Sequence, residues 1–223
     1  MGKKKKIILF SVLGFVITLG LVIAIPFTIL GIKTKNIKSD WDYLKTDITY
    51  NQKVEVEGVN LVKQDISCGY ATIEMMSDFY GNKITEEDLS NKNGGGISTS
   101  STKGFLNEIS DSIKNKEFIS KTYLKNDEML KEIHRSLSAN NPVAIEWAAK
   151  YEDEWTLHFS LVTSIDIKEE KVIVYNPYDS IENIGISEFV NRTTFEAYEH
   201  MPLFLNFGFA FGAFHKNAIF YSK

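Results

Sequence analysis

QDISCGYATIEMMSDFYG, residues 64–81, is the stretch on which the reading of this chain turns. Gln64 to Ser67 is short and polar. From Cys68 to Tyr80 the apolar side chains fall at spacings of three and four, Ala71, Met75 and Phe79 in one row and Ile73, Met76 and Tyr80 in another, which is a helical period. Gly81-Asn82 stops it. Cys68, the single cysteine among 223 residues, therefore stands where a polar loop turns into a helix. The partial positive charge of a helix N-terminus favours a thiolate, and a nearby imidazolium favours it further. Position alone leaves a second reading open, that of a small buried apolar residue. One cysteine makes no internal disulfide and no multi-cysteine zinc site.

Downstream, Thr85 with Asp88 has the form of a capping box opening a short helix. Asn93-Gly94-Gly95-Gly96 reads as a loop, and helical periodicity returns over Lys103 to Ile113 and over Asp127 to Ser138, until Asn140-Asn141-Pro142 ends it. The second half changes character. Val143 to Trp147, Leu157 to Ile165 and Lys171 to Tyr175 are strand-like, with Glu169-Glu170 as a hairpin turn between the last two. Val54 to Val62 alternates as a short strand, and the aromatic, glycine-containing end, Leu203 to Tyr221, also reads as strand. Helices first and strands second predict an α+β fold of two packed layers.

A nucleophilic cysteine needs a base. None of the four histidines shows an HxxxH or HExxH spacing, so no metal is expected. His158 opens a strand and is the candidate base. His134 lies among Lys131, Glu132 and Arg135 and is expected to be solvated, while His200 and His215 fall in the aromatic end without a supporting pattern. A third group orients such an imidazole, and Asn, Asp or Glu serves. Asn176 closes the strand after the hairpin, and antiparallel pairing brings it near His158.

Upstream lies a different solvent. Residues 1–6 are a basic flank, Lys3 to Lys6. Ile7 to Ile25 carry no charge, and Phe27 to Ile32 extend the run past Pro26. Nineteen residues at ~1.5 Å each span roughly 29 Å, the thickness of a bilayer's hydrocarbon. Residues 7–32 are thus expected to be an uncleaved transmembrane signal-anchor, since the run exceeds a signal-peptide core and no A-x-A site follows. Four lysines precede it and Lys33, Lys35 and Lys38 follow, a bias that puts the N-terminus inside and the domain outside. Residues 33–55 read as a juxtamembrane linker and 56–223 as one folded domain. With Lys3 to Lys6 set aside, 21 of the 25 basic residues remain against all 29 acidic ones, a balance of −8. So acidic a domain excludes nucleic acid as a partner.

The strings together carry a resemblance. Gln64-Asp65-Ile66-Ser67-Cys68-Gly69-Tyr70-Ala71 resembles the Q…CG-x-A signature of papain-like cysteine peptidases, and Asn141-Pro142-Val143 the strand entry before their histidine. His158-Phe159-x-x-Val162, Asp166 and Val174-Tyr175-Asn176-Pro177 resemble the H-(F/Y)-x-x-V…D…V-x-(D/N)-P block, and Ser187-Glu188-Phe189 the short helix after it. Over residues 60–192 the chain is similar to family 39 of the cysteine peptidases, the bacteriocin-leader (double-glycine) peptidases, and to their stand-alone relatives. That resemblance implies a papain-like fold, Cys68 as nucleophile, His158 as general base, Asn176 as orienting residue where many relatives have Asp, and Gln64 as an oxyanion donor. It implies a peptide or protein substrate cleaved through a thioester and no cofactor. Two other readings stay open: a papain-like binding domain without activity, marked by a separated Cys68 and His158, and an accessory membrane protein of another fold, marked by an exposed aromatic end. Substrate identity and oligomeric state are not written in the sequence.

Overall fold

The computed structural model describes the backbone of residues 3–223 and the side chains of residues 11–223. The side chains of the basic flank, and those of residues 7–10, lie outside the described residues. Helix α1, Lys3–Ile37, is the one described helix long and apolar enough to cross a membrane. Residues 11–25 are exposed on every side; the first to touch the remainder are Pro26, Phe27 and Leu30.

The remainder is a mixed fold of helices and one antiparallel sheet, as the sequence predicts. Helices α2 (Cys68–Phe79), α3 (Glu86–Lys92), α4 (Thr102–Ser112) and α5 (Asn126–Ser138) precede most of the strands. The sheet runs β2 (Phe118–Lys121), β7 (Ala218–Ser222), β3 (Val143–Tyr151), β4 (Glu154–Asp166), β5 (Lys171–Asn176), β6 (Ser180–Gly185), with β1 (Val54–Glu55) also paired to β4. Helices α6 (Ile186–Thr193) and α7 (Leu203–Ala210) fall between β6 and β7. Capping follows the sequence. Ser67 Oγ accepts from Tyr70 N–H at the start of α2, and Thr85 and Asp88 form the reciprocal box that opens α3.

The two faces of the sheet have different covers. Glu146, Phe159 and Phe220 share one face, against which α4 stacks Phe105 on Phe159 with ring centroids 4.3 Å apart. Trp147 and His158 lie opposite each other on the other face, where α6 contributes Phe189 and Arg192.

Three expectations are corrected. Leu203 to Ala210 is helix, not strand: the run is apolar on all sides and has no period of two, Pro202 stands at its N-cap, and Gly212 at φ 79° supplies the left-handed residue after its end. Strand β7 begins only at Ala218. The strand expected over Val54 to Val62 is two residues long, because Gly58 at φ 82° turns the chain off the sheet. His134 is buried rather than solvated. Tyr50 meets its ring edge-on and Nε2 contacts Gln52 O at 3.0 Å, so residues 50–52 close over α5.

Candidate functional site

Cys68 occupies the first turn of α2. A carboxylate fixes the loop before it: Glu86, itself buried, accepts from Asp65 N–H at 2.9 Å, Ile66 N–H at 3.1 Å and Ser67 N–H at 2.9 Å. Gly69 is required by close approach, since a Cβ there would lie 2.2 Å from Thr99 Oγ1 and 2.5 Å from Thr99 Cβ. The helix start can thus nestle against the Thr99 loop only without a side chain. Strand β4 runs past the end of β5, leaving its backbone open near residue 159. The backbone N–H groups of Phe159, Gly69 and Cys68 act on the Cys68 thiol and lower its pKa. Those donors favour the thiolate. The residue is partly exposed, yet protein atoms crowd the sulfur, and burial prevails, pushing the thiol up to about 11.

His158 and Asn176 are in direct contact. The β4–β5 register pairs Leu161 with Tyr175, which carries Asn176 to a position opposite Ser160, two residues from His158 on the same face. His158 Nε2 lies 2.8 Å from Asn176 Oδ1. Two further contacts decide the protons. Asn176 Nδ2 donates to Glu182 Oε1 at 2.6 Å, and a carboxylate only accepts, so the amide nitrogen faces Glu182 and the oxygen faces the ring. Tyr178 N–H also donates to Asn176 Oδ1, at 3.0 Å. The ring nitrogen facing that oxygen must then carry the hydrogen, which leaves Nδ1 as the unprotonated, basic nitrogen. Burial holds the imidazole neutral, lowering it to about 3.

The relay continues inward. Arg192 Nη1 bonds Glu182 Oε2 and Nη2 bonds Oε1 at 3.3 Å; its Nε donates to Ala148 O at 2.8 Å, and its guanidinium lies 3.6 Å over the Trp147 ring. Trp147 Nε1 in turn donates to Ser160 Oγ at 3.0 Å. Tyr178 stacks on His158 with centroids 4.0 Å apart and hydrogen-bonds Thr156 through its hydroxyl. It also lies near Cys68. Gln64 is tied to the same turn, its N–H donating to Pro177 O at 2.9 Å, while its Oε1 is buried without a partner.

Of the residues singled out from the sequence, His158 and Asn176 are in direct contact. Cys68 reaches β4 at the residue after His158, and Gln64 joins the turn just past Asn176. His200 is exposed, and His215 Nδ1 contacts Thr102 Oγ1 at 2.9 Å, away from this group. Glu86, Tyr178, Glu182 and Arg192 carry no local motif. One signal was available: only two of the 25 basic residues are arginine, and a chain that otherwise uses lysine keeps arginine where a planar fork is needed.

Comparison with known proteins gives a family. The profile described as "Peptidase_C39 like family" matches residues 48–202. No curated protein matches the chain. Among solved structures, a C39-like peptidase from Bacillus anthracis superposes with a TM-score of 0.52 at 13% identity, covering 77% of this chain and 98% of that one. A double glycine motif protease from an AMS/PCAT transporter, solved in complex with the leader peptide, superposes with a TM-score of 0.50 at 15% identity, covering 77% and 99%. At such identities the two solved structures speak for the fold.

Proposed function

The chain belongs to the Peptidase_C39-like family; on that premise we propose that it is a membrane-anchored cysteine peptidase acting through Cys68, His158, Asn176 and Gln64. The observation that carries this reading is the contact of His158 Nε2 with an Asn176 oxygen whose orientation Glu182 dictates. It supports a reading in which His158 Nδ1 is the unprotonated nitrogen and serves as the base. Nδ1 takes the Cys68 proton, the sulfur attacks a peptide carbonyl, and the protonated imidazole then protonates the leaving amine. Water, activated by the same nitrogen, resolves the thioester. Burial favours the neutral thiol and the neutral imidazole in the resting site; transfer of the proton to Nδ1 gives the thiolate that attacks. Gln64 and the N–H groups of the α2 first turn supply donors for the developing oxyanion.

Residues 7–32 serve as the anchor, 33–55 as the juxtamembrane segment and 56–223 as the catalytic domain. The lysines before the apolar run support an N-terminus inside and a catalytic domain outside the cytoplasm. The continuity of α1 with the packed domain, through Phe27, Leu30 and buried Ile37, supports an anchor that is retained.

The test uses the full chain in lipid vesicles with a peptide epoxide that alkylates cysteine nucleophiles. Mass spectrometry is expected to find the adduct on Cys68, with alkylation and peptide hydrolysis both lost in His158→Ala. Alkylation at the same rate in wild type and His158→Ala, with no hydrolysis by either, would leave a peptide-binding domain of the same fold.

A further inference from the structure

Helix α7 has no reason to be as apolar as it is in a water-soluble domain. Its sequence is LFLNFGFA, and it buries only part of that surface. Leu205 and Phe209 point inward, Phe209 into a small cluster with Ala148 and Phe195 that Trp155, Leu157, Tyr198, Met201 and Leu30 of α1 complete. Phe207 packs edge-on against Phe27 of α1, ring centroids 5.2 Å apart. Gly208 lets Phe214 cross the helix closely, since a Cβ there would lie 2.4 Å from the Phe214 ring. What remains outward is Leu203 at 69% exposed, Phe204 at 70% and, just past the helix end, Phe211 at 55%.

The position of this apolar surface along α1 identifies what covers it. From Ile7 to Ile25 the anchor is an uninterrupted uncharged run, and its described residues, 11–25, are all exposed. Nineteen residues match one hydrocarbon thickness. The next residues are the first to meet the domain, and the element met at Phe27 is α7. If α1 crosses the bilayer with its bare part, α7 lies at the membrane surface, with three large apolar side chains turned outward.

We infer that α7 is an interfacial helix whose Leu203, Phe204 and Phe211 insert into the headgroup and acyl boundary of the bilayer that α1 spans, seating the domain on the membrane. The inference rests on the membrane reading of α1. It commits to lipid rather than a second protein, because the outward surface is continuous with the lipid-facing helix. Such helices bind by the apolar area they bury in the boundary. The seat also fixes the height of the site. Trp155 and Leu157 belong to the cluster beneath α7, and His158 follows them on β4. The bonds within reach are accordingly those held close to the membrane surface.

Spin labels decide it. In the full chain carrying Cys68→Ser, reconstituted into vesicles of phosphatidylcholine with a minority of phosphatidylglycerol, single cysteines are placed at Leu203, Phe204 and Phe211. Val16 reports on α1, and Ile48 is the control. Ile48 is 84% exposed, in a segment that Lys45 ties to Glu170 at the far end of β4. All these positions are exposed, so the substitutions spare the core. Accessibility to oxygen relative to a water-soluble nickel chelate is expected to be several-fold higher at Leu203, Phe204 and Phe211 than at Ile48, and highest at Val16. A lipid-exposed Val16 with a water-exposed Phe204 would overturn the seat and leave the anchor standing. A water-exposed Val16 would overturn both. Dipolar broadening at Phe204 without oxygen accessibility would show a second copy of the chain in place of lipid, and would overturn it too.

Discussion

The two sides of the site are built from different materials. The nucleophile side is backbone: three consecutive N–H groups clamped by one carboxylate, a serine cap, and a glycine that admits Thr99. The base side is side chain upon side chain, His158 to Asn176 to Glu182 to Arg192 to Trp147. Backbone donors are positioned by a dozen neighbouring residues and move little. A side-chain relay instead fixes which way an amide faces, and through that which ring nitrogen is basic. The first arrangement provides a rigid place for charge to develop, whereas the second provides a proton address.

The largest expected effect comes from removing the one side-chain donor assigned to the backbone side. Gln64→Ala is expected to lower kcat by about 10²–10³-fold with KM little changed, as loss of an oxyanion donor does elsewhere; a rise in KM alone would make Gln64 a substrate contact. Next comes the clamp. Glu86→Ala strands three N–H groups, that of Ser67 buried, and unfolding in urea is expected to show a loss of about 2–3 kcal/mol. If the midpoint stays put, the loop is held by something other than this carboxylate.

On the base side, Glu182→Gln keeps the size but lets Asn176 turn its amide around. A drop in kcat of about 10–100-fold is expected, the usual scale for an outer partner that orients a functional ligand, beyond what the weakened pairing of buried Arg192 costs in stability. A stability loss in proportion to the activity loss would reduce the relay to a structural salt bridge.

The last comparison separates the faces of β4 by pH. Burial lowers His158 from 6.5 to about 3, so the stability that comes with its neutral ring is complete above pH 6.5 and is lost as pH falls toward 3. Glu146, opposite Phe159 on the other face, accepts from Thr102 Oγ1 at 2.5 Å and is raised by burial from 4.5 to about 8. Its protonated form stabilises fully below pH 4.5, and that contribution fades as pH rises toward 8. Glu146→Gln is expected to gain on wild type across that window, by at most about 1.4 kcal/mol per pH unit. Urea midpoints taken from pH 4 to pH 8 read it out, and parallel curves for the two proteins would deny Glu146 its role.

The same division explains what the sequence made legible. Backbone-built features are local, and a polar loop turning into a helical period at Cys68-Gly69 is visible without a partner. The hairpin was equally local, so β4, β5 and the approach of Asn176 to His158 followed. Partners assembled by register were not visible. Glu182 lies on an edge strand, SIENIG, whose polar alternation imitates a loop, and β2 has only the four residues FISK. His134 looked solvated because its neighbours along the helix are charged, yet the residues covering it are some eighty positions away. The aromatic end was misread as strand because periodicity does not separate a short all-apolar helix from a buried strand.

Strand β7 has its own consequence. It lies between β2 and β3, and its Phe220 completes the aromatic stack with Phe105 and Phe159. Among the described elements, β7 is made after every other. Until it arrives, nothing joins β2 to β3, and the core beside Phe159 is unfilled. The sheet is thus clasped shut by its latest strand, residues 218–222.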